Sequence, residues 1–113
     1  MIQIYHNPRC RKSRETLAMV ESSGQPFEVI EYLKTPPTPG ELKALLQKLE
    51  LEANQLVRKG ETIWKTQFKG KDLTESEILS AMAQYPKLIE RPIVVKGSRA
   101  ILGRPPENVR DLL

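Results

Sequence analysis

Within its first 32 residues the chain reads strand, helix, strand, and that order limits the folds open to it more than any other feature. MIQIY at the start is a short apolar strand. From about Arg11 good helix formers follow, with Leu17 and Val20 on one side, and Ser22-Ser23-Gly24 supplies the glycine that helix C-termini favour. FEVIEY, Phe27 to Tyr32, then alternates apolar and polar residues, the pattern of a second strand. Two strands joined through a helix form a βαβ unit, whose strands lie parallel in one sheet.

The middle of the chain changes period. TPPTPGELKALLQKLE offers Thr38 as a cap, Pro39 at a first helical position and Glu41 to complete a capping box, ahead of Leu42, Leu45, Leu46 and Leu49 on one face. TESEILSAMAQYP repeats this with Thr74 and Glu77 as box residues, Ile78, Ala81, Met82 and Tyr85 as the stripe, and Pro86 as the stop. Between them, ANQLVRKGETIWKTQF predicts one or two short helices around Gly60. PIVVKGSRAILG reads as two strands joined at Lys96-Gly97-Ser98, and a last helix is expected over Pro105 to Leu113. The expected architecture is α/β, βαβ then ββα in a mixed sheet, with a helical insertion at about 38–88 between the second and third strands. At 113 residues one domain, 1–113, is expected.

Composition narrows the function. Apolar residues make up 39% of the chain, no run approaches a membrane span, and the N-terminus lacks a signal-peptide core, so no membrane is expected and the expected location is the cytoplasm. The net charge of +4 divides into +4 over residues 1–14, −3 over 15–85 and +3 over 86–113. A nucleic-acid surface calls for aromatics among the basic residues, and none of the six interleaves a basic run, so no nucleic acid is expected. No metal or bound cofactor is expected either.

The chain's one cysteine cannot form an internal disulfide, which fits a reducing compartment. Cys10 falls where the first strand has ended and the first helix begins, among Arg9, Arg11, Lys12 and Arg14. Thiols at helix N-termini beside basic side chains are nucleophilic, because the dipole and the cations stabilise the thiolate. Cys10-Arg11-Lys12-Ser13 is a C-x-x-S, so Ser13 can donate a hydrogen bond where a C-x-x-C would hold a second thiol, and any disulfide must be with another molecule. His6, four residues earlier, could stabilise the thiolate as a cation or through the loop backbone.

HNPRCRKSRETL, LVRKG, ERPIVV and GRPPE, in that order, resemble the glutaredoxin-dependent arsenate reductase family from Ile2 to the final residues. The resemblance implies a thioredoxin-like fold with a helical insert. It places the family's nucleophile on Cys10 and its oxyanion-binding arginines on Arg58, Arg91 and Arg104, with His6 and Ser13 supporting, and it implies a cis peptide before Pro92. It further implies arsenate or a similar oxyanion as substrate, with glutathione and glutaredoxin as external reductants. Guanidinium forks suit a multiply charged tetrahedral oxyanion, and a thiolate can displace an oxygen from arsenic. Two alternatives remain: a thiol oxidoreductase with another substrate, and an Spx-type transcription regulator that binds RNA polymerase and senses oxidants through a C-x-x-C, whose second thiol Ser13 replaces.

Overall fold

The computed structural model describes all residues, 1–113. They divide into two compact units: Met1–Thr35 with Arg91–Leu113, and Pro36–Glu90. The second unit spans the helical segment expected from the sequence.

The first unit is built on a four-stranded mixed sheet of order β2-β1-β3-β4. β1 (Ile2–Tyr5) runs parallel to β2 (Phe27–Ile30), with Ile2 opposite Phe27 and Ile4 opposite Val29, and α1 (Arg11–Ser22) connects them. β3 (Ile93–Lys96) runs antiparallel to β1, placing Ile4 opposite Val94, and β4 (Arg99–Leu102) pairs antiparallel with β3. Gly97 at φ 62 opens the two-residue turn between Lys96 and Arg99, a left-handed position that glycine fills without a Cβ penalty. Ile2, Ile4, Val20, Val94, Val109 and Leu112 form the core, with Leu17, Met19 and Phe27 packed against it. Burying each large aliphatic side chain contributes about 1.5–3 kcal/mol.

Two expected elements end differently. β2 stops at Ile30 rather than Tyr32, because the amides of Lys34 and Thr35 both donate to the Glu31 carbonyl at 3.0 Å and turn the chain. The C-terminal segment is a 3₁₀ helix, Pro106–Asp111, shorter than the expected Pro105 to Leu113. Its tighter winding shows in Asn108 N–H donating to the Pro105 carbonyl, three residues back.

The second unit is helical. α2 (Pro39–Leu49) and α5 (Glu75–Gln84) both begin with complete capping boxes, Thr38 with Glu41 and Thr74 with Glu77. They pack on each other, burying Leu42, Leu45 and Leu46 on one and Ile78, Leu79, Ala81 and Met82 on the other. Leu49 and Tyr85 are only partly buried, since each lies at the end of its helix. Two short helices, α3 (Ala53–Leu56) and α4 (Thr62–Gln67), flank Gly60 as expected. A single antiparallel bridge, Val57 to Ile89, ties the stretch after α3 to the end of the unit.

Candidate active site

Between β1 and α1 the backbone is fixed by its own polar groups. Asn7 Oδ1 accepts from the Arg9 amide at 3.0 Å, and the Asn7 carbonyl accepts from the Cys10 amide at 3.0 Å. Arg14 reaches back from α1 to donate to the Pro8 carbonyl at 2.9 Å. Cys10 is thereby set as the N-cap of α1, with extended backbone angles of −94° and 122°. Its sulfur makes no capping hydrogen bond, and the first turn contains no acidic side chain to offset the positive helix end. The thiol is partly exposed.

Beneath the loop, His6 and Ser13 are both buried. His6 Nδ1 lies 2.6 Å from Ser13 Oγ, which also accepts from the Asn7 amide at 3.0 Å. Taken with the Ser13 hydroxyl as donor to Nδ1, the bond assigns the proton of the neutral imidazole to Nε2. Burial lowers the His6 pKa below 6.5, with Glu31 and Glu21 opposing and Arg14 adding to the effect. The lowered pKa favours the neutral imidazole over the cation at pH 7. Ser13 Oγ pairs with His6 and not with the Cys10 sulfur.

Arg91 and Arg104 are joined next to α1. The Arg91–Pro92 and Arg104–Pro105 bonds are both cis, the second not foreseen in the sequence. Arg104 Nε donates to the Arg91 carbonyl at 2.8 Å, and the Gly103 amide donates to the Pro92 carbonyl at 3.0 Å. Arg91 Nε is buried and makes no hydrogen bond within the chain. Gly103 joins this pair to the cysteine helix: a Cβ there would stand 2.6 Å from Thr16 Oγ1 and 2.8 Å from Pro92 Cγ. Cys10, Arg91 and Arg104 thus belong to elements of the same unit in direct contact.

Arg58 lies in the helical unit. Its amide donates to the Leu88 carbonyl at 2.6 Å, and its guanidinium faces Glu61 at 3.4 Å and Glu90 at 3.6 Å. The sequence reading named Arg58 without these carboxylates, which no motif signals. It also passed over Asn7, Thr16 and Gly103. Asn7 could have been found from Asn-Pro after a strand, a turn-initiating pair, whereas the Thr16–Gly103 approach joins positions distant in sequence. No three His, Cys, Asp or Glu side chains come together to hold a metal, and no helix is long and apolar enough to cross a membrane.

A parallel β1–β2 pair, an antiparallel β3–β4 hairpin, a cis-proline before β3 and a cysteine at the start of α1 define a protein of the thioredoxin-like class. Residues 5–112 match the ArsC family, and the chain belongs to that family. It is 41% identical to the arsenate reductase of Neisseria meningitidis strain Z2491, covering 99% of this chain and 97% of that one. It is 40% identical to an arsenate reductase of Escherichia coli K12, covering 99% of this chain and 80% of the relative. The solved arsenate reductase of Vibrio cholerae superposes with a TM-score of 0.95 at 48% identity, over 99% of this chain and 97% of that one.

Proposed function

We propose that the protein is an arsenate reductase in which Cys10 is the nucleophile, Arg91 and Arg104 bind the oxyanion, and glutathione with glutaredoxin supplies the electrons. The observation that carries this reading is the buried, unpartnered Nε of Arg91, beside Arg104 and in the unit that holds the Cys10 helix. A buried guanidinium N–H without an acceptor is costly, and an oxyanion relieves that cost with a charge-assisted bond. The names of the similar proteins support the choice of arsenate.

The chemistry balances with one thiol in the chain. Cys10 sulfur bonds to arsenic as an arsenic–oxygen bond breaks and water leaves. An external thiol attacks the Cys10 sulfur; an S–S bond forms and the S–As pair passes to arsenic, reducing As(V) to As(III) while the two sulfurs become a disulfide. A second thiol attacks that disulfide and returns Cys10 to its thiol. Neutral His6 with Ser13 holds the loop in shape in this reading, and Arg58 is paired within the helical unit with Glu61 and Glu90.

Mass spectrometry of the protein after incubation with arsenate and glutathione, with glutaredoxin left out, tests the sequence of steps. The expected product is one glutathione attached to Cys10, formed only when arsenate is present. An adduct formed equally without arsenate, or on no residue, contradicts the reading.

A further inference from the structure

A cleft of about 340 Å³ opens on the face of the loop that precedes Cys10, lined by His6, Asn7, Pro8 and Arg9 from that loop and by Glu31, Leu33 and Lys34 beyond β2. Its volume lies within the range of about 300–1,000 Å³ typical of small-molecule sites. A groove of about 720 Å³ along the later turns of α1 is larger, but its lining, including Met19, Ser22, Gln25 and Leu113, contains no residue of the Cys10 loop.

The cleft has a defined polarity. His6 is only 6% exposed, its Nδ1 is taken by Ser13, and Nε2–H makes no hydrogen bond within the chain. Nε2 is not sealed off as Arg91 Nε is, so an acceptor entering the cleft that His6 lines can reach it. Arg9 and Lys34 bring two positive charges. The Lys34–Glu31 ion pair, 3.5 Å long with Lys34 77% exposed, is of the kind worth little in water, so an anion can replace Glu31. The site therefore takes a small, anionic, acceptor-rich ligand.

Its position selects among such ligands. The loop that lines it ends at Cys10, the chain's one cysteine, and an intermediate on that sulfur can be resolved only by a thiol from outside. We infer that this cleft binds the carboxylates of the reducing peptide thiol, glutathione, with Arg9 and Lys34 pairing a carboxylate and His6 Nε2–H donating to an acceptor group. This rests on the reductase reading and assigns the reductant a place on the chain apart from the arginines that hold arsenate. Arsenate itself shares the anionic, acceptor-rich chemistry, so the two anions have to be tested separately.

The test is calorimetric titration of S-methylglutathione, which cannot exchange disulfides, into the full chain carrying Cys10→Ser. Lys34→Glu and Arg9→Glu on that background should each weaken binding about ten- to hundredfold, as expected for loss of a charge-assisted hydrogen bond. Arsenate titrated into the Lys34→Glu variant should bind as it does without the change. Unaltered S-methylglutathione binding in both charge-reversal variants overturns the assignment, as does the absence of saturable binding to the parent. Equal weakening of arsenate binding by Lys34→Glu also overturns it, because the cleft would then be a general anion patch. Turnover plays no part in these titrations, so a chain that binds S-methylglutathione in the cleft yet reduces no arsenate upholds the cleft and defeats only the reductase reading.

Discussion

Arg104 Nε donates a 2.8 Å hydrogen bond to the backbone carbonyl of Arg91, so one candidate oxyanion ligand holds the backbone of the other. The two residues are thirteen positions apart, separated by the β3–β4 hairpin. Their joint placement depends on that bond and on the Gly103–Pro92 bond beside it.

Arg91→Ala and Arg104→Ala should each lower arsenate turnover at least about tenfold, within the hundred- to thousandfold seen when an oxyanion donor is lost in other enzymes. Alkylation of Cys10 by a neutral reagent should continue in both. Arg58→Ala is expected to act more weakly, since that guanidinium already faces Glu61 and Glu90. Arg99→Ala, on the exposed end of the hairpin, serves as the control. Steady-state kinetics with all four variants settles the point, and unchanged turnover in the first three would remove the arginines from the site.

Gly103 tolerates no side chain where it stands. A Cβ would meet Thr16 Oγ1 at 2.6 Å and Pro92 Cγ at 2.8 Å, far inside contact distance. Gly103→Ala should therefore destabilise the fold by about 1–3 kcal/mol, the usual cost of overpacking. Urea unfolding measures this, and an unchanged midpoint would mean that the two neighbours yield freely.

Stability should fall as the solution becomes acidic through the histidine range. The His6 pKa is lowered in the folded state by burial, so between the folded value and about 6.5 the unfolded chain binds more protons. Stability contributed by the neutral imidazole is fully present above about 6.5 and is lost as pH falls below it. His6 is the chain's one histidine, so His6→Gln should flatten the slope of unfolding free energy against pH between about 7 and 5. An identical slope in the variant would contradict the burial effect.

Local signals made much of the fold legible before the structure was known. The capping boxes at Thr38 and Thr74, the Gly97 turn and the strand-helix-strand opening each occupy a few consecutive residues with their own physical cause, and each is present. Cys10 was placeable for the same reason, because the end of a strand and the start of a helix locate an N-cap. The partner of Ser13 was not, since C-x-x-S spacing points the hydroxyl toward Cys10 while burial beneath the loop gives it to His6. Likewise the Glu61 and Glu90 pairing of Arg58 and the Thr16–Gly103 approach arise from tertiary packing, which residue order alone does not encode.

The most direct test follows NADPH consumption in a coupled assay with arsenate, glutathione, glutaredoxin and glutathione reductase, comparing the unmodified protein with Cys10→Ser. The unmodified protein should consume NADPH only when arsenate is present, and Cys10→Ser should reduce the rate to that of the assay without protein. No arsenate-dependent consumption by the unmodified protein, or equal consumption by Cys10→Ser, would contradict the assignment of Cys10 as the nucleophile of an arsenate reductase.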